Sequence, residues 1–210
     1  MGYRRLAIMA AGLALGIPAL SSADVSWQFN TLVTGDNPGT STPWATLDCT
    51  DIAGGAQFTL TYSGDATVGS FLSQLDLNFN GDMPNDISFS SSDASVLGAS
   101  FGSFVDAGSS YDVMVMFDTS NGNGGDRITP GESVTFNIMG TGVDCEDFHV
   151  LSSPQGDNQG YLALLHIQGL GPNNEGSAKV APGAVPEPAS MAALGMGALG
   201  LLARRRRAKA

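Results

Sequence analysis

Few residues in this chain have the types and spacing that chemistry requires. Only two histidines occur, His149 and His166. A nucleophilic triad needs a histidine beside a placed serine, and no G-x-S-x-G elbow is present. His166 stands in an apolar run and reads as a hydrogen-bonded core residue. Asp144, Glu146 and Asp147 flank Cys145. Two nearby carboxylates are the minimum for glycoside hydrolysis, but adjacent acids on one short stretch read better as an exposed edge. No residue is assigned a catalytic role, and the chain is not expected to be an enzyme.

Two stretches carry oxygen ligands suited to a hard cation. Asp76, Asn78, Asn80 and Gly81 reproduce the first half of an EF-hand loop, but Ile87 stands where the closing glutamate belongs. Leu77 and Phe79 between them make the stretch read as a polar strand face ending in an Asn-Gly turn. The second is the Gly/Asn-rich loop holding Asp118, Asn121, Asn123 and Asp126, set between two strong strand signals. It is the candidate calcium site, with Glu132 placed to reach back, and its rival reading is a solvated hairpin loop. No other cofactor is expected. Trp27 and Trp44 have the chemistry of a sugar-stacking platform, but core packing is the simpler reading.

Charge narrows the partners. The chain has a formal net charge of −11. Between residues 24 and 184 there are 19 acidic residues and two basic ones, Arg127 and Lys179, a net of −17. Such a surface repels nucleic acid and anionic lipid. Cys49 and Cys145 are the only cysteines. A single pair in an exported body reads as one disulfide, and two cysteines are too few for a structural zinc site.

The elements that must hold these residues read as all β. Period-two alternation places strands at Val25–Phe29, Phe58–Tyr62, Leu75–Phe79, Val113–Phe117 and Val134–Ile138. Tyr161–Ile167 is apolar on both faces and reads as a central strand. Ile87–Phe89 and Phe148–Leu151 are shorter candidates. Gly171–Gly183 reads as a polar stretch leading to the tail. Eight or so short strands predict an antiparallel β-sandwich, jelly-roll-like, over residues 24–180.

Both ends differ from this body. Arg4 and Arg5, an apolar core from Leu6 to Leu20, and Ser21-Ser22-Ala23 read as a signal helix cleaved between Ala23 and Asp24. At the other end, residues 181–188 form a linker closing on Pro186-Glu187-Pro188. The residue before a proline is driven to extended geometry, while Pro188 suits the first position of a helix. Ala189–Ala203 is an uncharged apolar run, read as a short transmembrane helix. Arg204, Arg205, Arg206 and Arg207 then open a basic tail, 204–210, expected to stay cytoplasmic.

This order of parts resembles the PEP-CTERM sorting signal of exported bacterial proteins. The resemblance rests on Pro186, Glu187 and Pro188, the apolar run and the four arginines, about an eighth of the chain. It implies recognition by an inner-membrane exosortase, cleavage near the Pro-Glu-Pro, and an exterior rich in exopolysaccharide. Ala163–Gly169 is similar to a His-Val-Gln-Gly-type segment found near the end of many such bodies. The chain is therefore expected to pass through the inner membrane to the cell surface or extracellular matrix. There it acts as a structural or interaction protein, with a secreted carbohydrate-binding module as the alternative.

Overall fold

The computed structural model describes residues 25–40, 42–64, 69–120 and 126–183. The signal helix, its cleavage site at Ala23 and Asp24, the apolar helix and the arginine block lie outside these residues. So do Pro186, Glu187 and Pro188.

Among the described residues eleven strands form one antiparallel sheet: β1 (Val25–Gly35), β2 (Ala45–Ile52), β3 (Gly55–Tyr62), β4 (Phe71–Leu77), β5 (Ser88–Ser90), β6 (Val96–Asp106), β7 (Ser109–Phe117), β8 (Ser133–Met139), β9 (Ser153–Pro154), β10 (Ala163–Leu170) and β11 (Gly176–Pro182). Their order across the sheet is β5-β8-β3-β2-β1-β11-β10-β4-β7-β6, and β9 adds to β7. The only helical element among the described residues is a 3-10 turn at Glu146–Phe148.

This sheet cannot be flat. Its two ends, β5 and β6, are consecutive in sequence and joined by residues 91–95. A connection of that length reaches at most ~20 Å, whereas ten strands laid flat would spread about 43 Å. The bend is borne by β1. Val25–Phe29 pairs with β2, and Phe29–Gly35 pairs with β11 through two register shifts. Bulges of this kind bend a strand and let it pass from one set of partners to another. At the end of β1, Gly35 has φ +96, and a Cβ there would lie 2.2 Å from the Ser177 carbonyl oxygen. The close approach of β1 to β11 therefore requires glycine.

The curled sheet encloses one continuous core, to which both halves contribute: Trp27, Phe58 and Phe136 from one, Leu75, Val115 and Ile167 from the other. An aromatic row crosses the first half. Trp27 stacks on Phe58 at 6.4 Å, Phe58 on Phe136 at 5.2 Å, and Phe136 on Phe89 at 5.6 Å. Phe148 meets Phe58 edge-on at 5.0 Å. Each such pair adds about 0.5–1.5 kcal/mol beyond its buried area. The outer face of the same strands is polar, with Gln57–Asn137, Thr59–Thr135 and Thr61–Ser133 side-chain hydrogen bonds. Cys49 and Cys145 form the anticipated disulfide, tying β2 to the 3-10 turn with Cα atoms 5.8 Å apart.

Three expectations need correction. Gly171–Gly183 is not simply a polar lead-out, because Gly176–Pro182 is a central strand between β1 and β10. Its alternation is real but written in small residues, with Ala178 and Val180 buried and Ser177 and Lys179 facing out. Phe148–Leu151 is not a strand. Phe148 ends the 3-10 turn and is buried, while Leu151 is exposed. Strands β2 and β6 were not foreseen: β2 does alternate, with Ala45, Leu47 and Cys49 buried between Thr46, Asp48 and Thr50, but two of its three buried positions are small, and β6 has a single buried residue, Val96.

Candidate functional site

The concentration of titratable groups lies on the outer face of the second half of the sheet. Gln74 on β4, His166 on β10 and Lys179 on β11 are register partners in one row. Asp76 stands two residues further along β4, opposite Leu164. Over them folds the end of the β6–β7 hairpin. A register shift between Phe101 and Phe104 bends β6, and its tip turns through Ala107 and Gly108, both at positive φ, as a two-residue type I′ connection demands. Tyr111, Leu164 and Ala181 pack beneath this arm as a second small apolar cluster, with Val33, Ala107 and Tyr161 against it.

The arm brings Asp106 onto the row. Its carboxylate is ion-paired with the Lys179 ammonium, and the two side chains are only 15% and 26% exposed. Gln74 Nε2 donates to both carboxyl oxygens of Asp76, at 2.9 and 3.0 Å, and reaches Asp106 Oδ2 at 3.5 Å. Asp76 is 1% exposed. Burial pushes its carboxyl up to about 7, and the Asp106 charge adds to this against the hydrogen bond from Gln74. Burial also raises the Tyr111 hydroxyl well above the usual phenol range. His166 is lowered, first by burial and then by Lys179.

Beside this cluster is a cleft of about 640 Å³ lined by Phe71, Arg127, His166, Gln168, Glu175 and Ser177. His166 is half-buried at its wall, not a core residue as expected. Arg127 is committed within the body: its guanidinium lies 3.8 Å over the Phe71 ring and donates to the Thr119 carbonyl at 2.8 and 2.6 Å.

The remaining candidates are not gathered into this place. Asp118 accepts from the amide of Ser120 at 2.8 Å and from the amide of Asp126 at 3.2 Å. The Ser120 hydroxyl holds its carboxyl below the usual range. Asn121 and Asn123 lie outside the described residues. Glu132 does not reach back, since its carboxylate caps Thr129 through the amide and hydroxyl. Among the described residues no three His, Cys, Asp or Glu side chains converge as metal ligands. Asn78 is buried, and its amide donates to the carbonyls of Val150, Tyr161 and Leu162. Asp144 and Asp147 accept from each other's amides across the 3-10 turn. Trp27 and Trp44 are core residues, 1% and 6% exposed, so neither offers a face to a sugar.

Sequence reasoning missed the Asp76–Asp106–Lys179 cluster. One signal was available: a single lysine in a body of −17.

The tail is identified by comparison. Residues 184–207 match the family model of the PEP-CTERM protein-sorting motif. The chain carries a PEP-CTERM sorting signal. No curated protein and no solved structure matches the chain. The PEP-CTERM match marks an exported protein handled by a membrane-associated exosortase, and it begins directly after the last described residue, Gly183, one residue beyond β11.

Proposed function

We propose that the chain is a structural or interaction protein of the cell surface or the extracellular polysaccharide matrix, delivered there by exosortase processing, and that it is not an enzyme. The observation that carries this reading is the PEP-CTERM match joined to a strongly acidic, disulfide-bonded β body. A charge of −17 keeps such a body soluble and apart from nucleic acid. A disulfide suits an oxidising exterior. The core position of both tryptophans argues against an aromatic carbohydrate-binding face. We read the curled sheet as a two-layered, jelly-roll-like sandwich with β1 common to both layers.

The test is fractionation of producing cells. The mature protein should be recovered with extracellular polysaccharide and released when that polymer is digested enzymatically. Recovery as free protein in the medium, unaffected by digestion, sinks the matrix assignment.

A further inference from the structure

We propose that Lys179 and Asp106 condense to an intramolecular amide, covalently tying the tip of the β6–β7 hairpin to β11, with Asp76 as the acid–base group. Lys179 is the only lysine between residues 24 and 184. It does not serve as an ordinary solvated cation, because its ammonium is part-buried against one carboxylate. Both partners are held by strand ladders rather than by mobile loops: Lys179 is paired with Thr34 of β1 and His166 of β10, and Asp106 with Ser109 of β7. Reactive groups fixed in this way gain effective molarities of about 10⁵–10⁸ M, which is what a condensation in water requires.

Tyr111, Leu164 and Ala181 pack beneath the arm that carries Asp106, and the condensation itself runs between an amine and a carboxylic acid. One proton passes from Lys179 Nζ to Asp106, leaving that amine and that acid. Nζ then attacks Asp106 Cγ, forming the C–N bond. Asp76 takes a second proton from nitrogen and delivers it to a carboxyl oxygen of Asp106. The C–O bond breaks, and one water departs. The product amide keeps one N–H, and Asp76 ends as it began. No oxidant, reductant or cofactor enters the balance. Asp76 has the position for this role, since Gln74 holds both its oxygens and reaches Asp106 with the same amide. Its carboxyl, raised by burial, exchanges protons near neutral pH, where a general acid–base is most effective.

The test uses the purified full-length secretory product, reduced, alkylated and digested with trypsin. Arg127 and Lys179 are the only tryptic sites between residues 24 and 184. In the wild type the peptide ending at Arg127 should be joined to the one containing Lys179. The pair should be lighter by one water, with no cleavage after Lys179. Asp76→Asn, which keeps the shape, should give separate peptides at full mass. Lys179→Arg should do so too, and serves as control should Asp76→Asn fail to fold. Wild-type cleavage after Lys179 with two separate peptides overturns the bond. A fully joined Asp76→Asn variant overturns the role of Asp76.

Discussion

Asp76 is the residue on which charge and fold act against each other most directly. Its carboxyl is ordinary in the unfolded chain, near 3.8, and about 7 in the folded one. Below the lower value both states are protonated and the residue contributes nothing. Between the two values the unfolded chain sheds a proton that the folded one keeps. Stability is therefore lost as pH rises through this window and stays low above it. Gln74, Asp106 and Lys179 act on it, and its charge acts in turn on Tyr111. His166, whose folded value is lowered, acts with the opposite sign, weakening the fold as pH falls. Because His166 is common to both proteins, a comparison cancels it. The stability of wild type relative to Asp76→Asn should fall between pH 4 and pH 7 in denaturant titrations. Parallel curves would remove the burial argument. Nothing in the sequence announced this. Asp76 sits in an alternating stretch where a polar residue every second position reads as a solvated face. What buries it is an arm from residues about thirty positions away, a tertiary event with no local signature. Cys49 and Cys145 were legible for the opposite reason, since a lone pair in an exported chain has one possible partner each.

At the scale of elements, the β6–β7 hairpin positions everything on the outer face. Its turn places Ala107 at φ 44, a region that residues with a Cβ occupy at a cost of about 1–3 kcal/mol. The strain is offset by the tip's own bonds, among them the Ala107 amide to Asp106 Oδ1 at 2.6 Å. Ala107→Gly should relieve it and raise stability by about 1 kcal/mol, less the entropy glycine loses on folding. A lower melting temperature for this variant would show that Ala107's packing against Tyr111 and Leu164 outweighs its backbone strain. Strands with large apolar residues at period two, such as β3, β7 and β8, were readable because the pattern and the burial agree. β11 was obscured because the strand lies between β1 and β10, where small residues suffice, and glycine and proline at its ends resemble a linker. β6 was obscured because its exposed Leu97 and Val105 blur the alternation.

Across the whole molecule, the two halves of the sheet share β1 and one core, and the Cys49–Cys145 disulfide closes 96 residues of sequence separation. Removing both cysteines by Cys49→Ala with Cys145→Ala should cost about 4–5 kcal/mol on the chain-entropy estimate. Thiols that alkylate in the native wild type without reductant would remove the disulfide as its cause. The all-β class was legible because strand signals recur along the whole body, whereas the curl was not, since it rests on β1 changing partners. What the fold then presents to the cell is decided beyond β11. Pro186 and Pro188 each lack a backbone N–H, and a residue before a proline is driven to extended geometry, so on the proposed processing these prolines would keep helix out of the motif that the exosortase meets. On the same proposal Arg204–Arg207 would keep the C-terminus cytoplasmic until processing. Pro186→Ala with Pro188→Ala would remove that barrier to helix in the motif. The double variant should accumulate at unprocessed mass in the inner membrane, and deletion of the exosortase should give the same result with the wild-type chain. Arrival of either one outside the cell at the normal mature mass would mean that the proline geometry, or the exosortase itself, plays no part in its release.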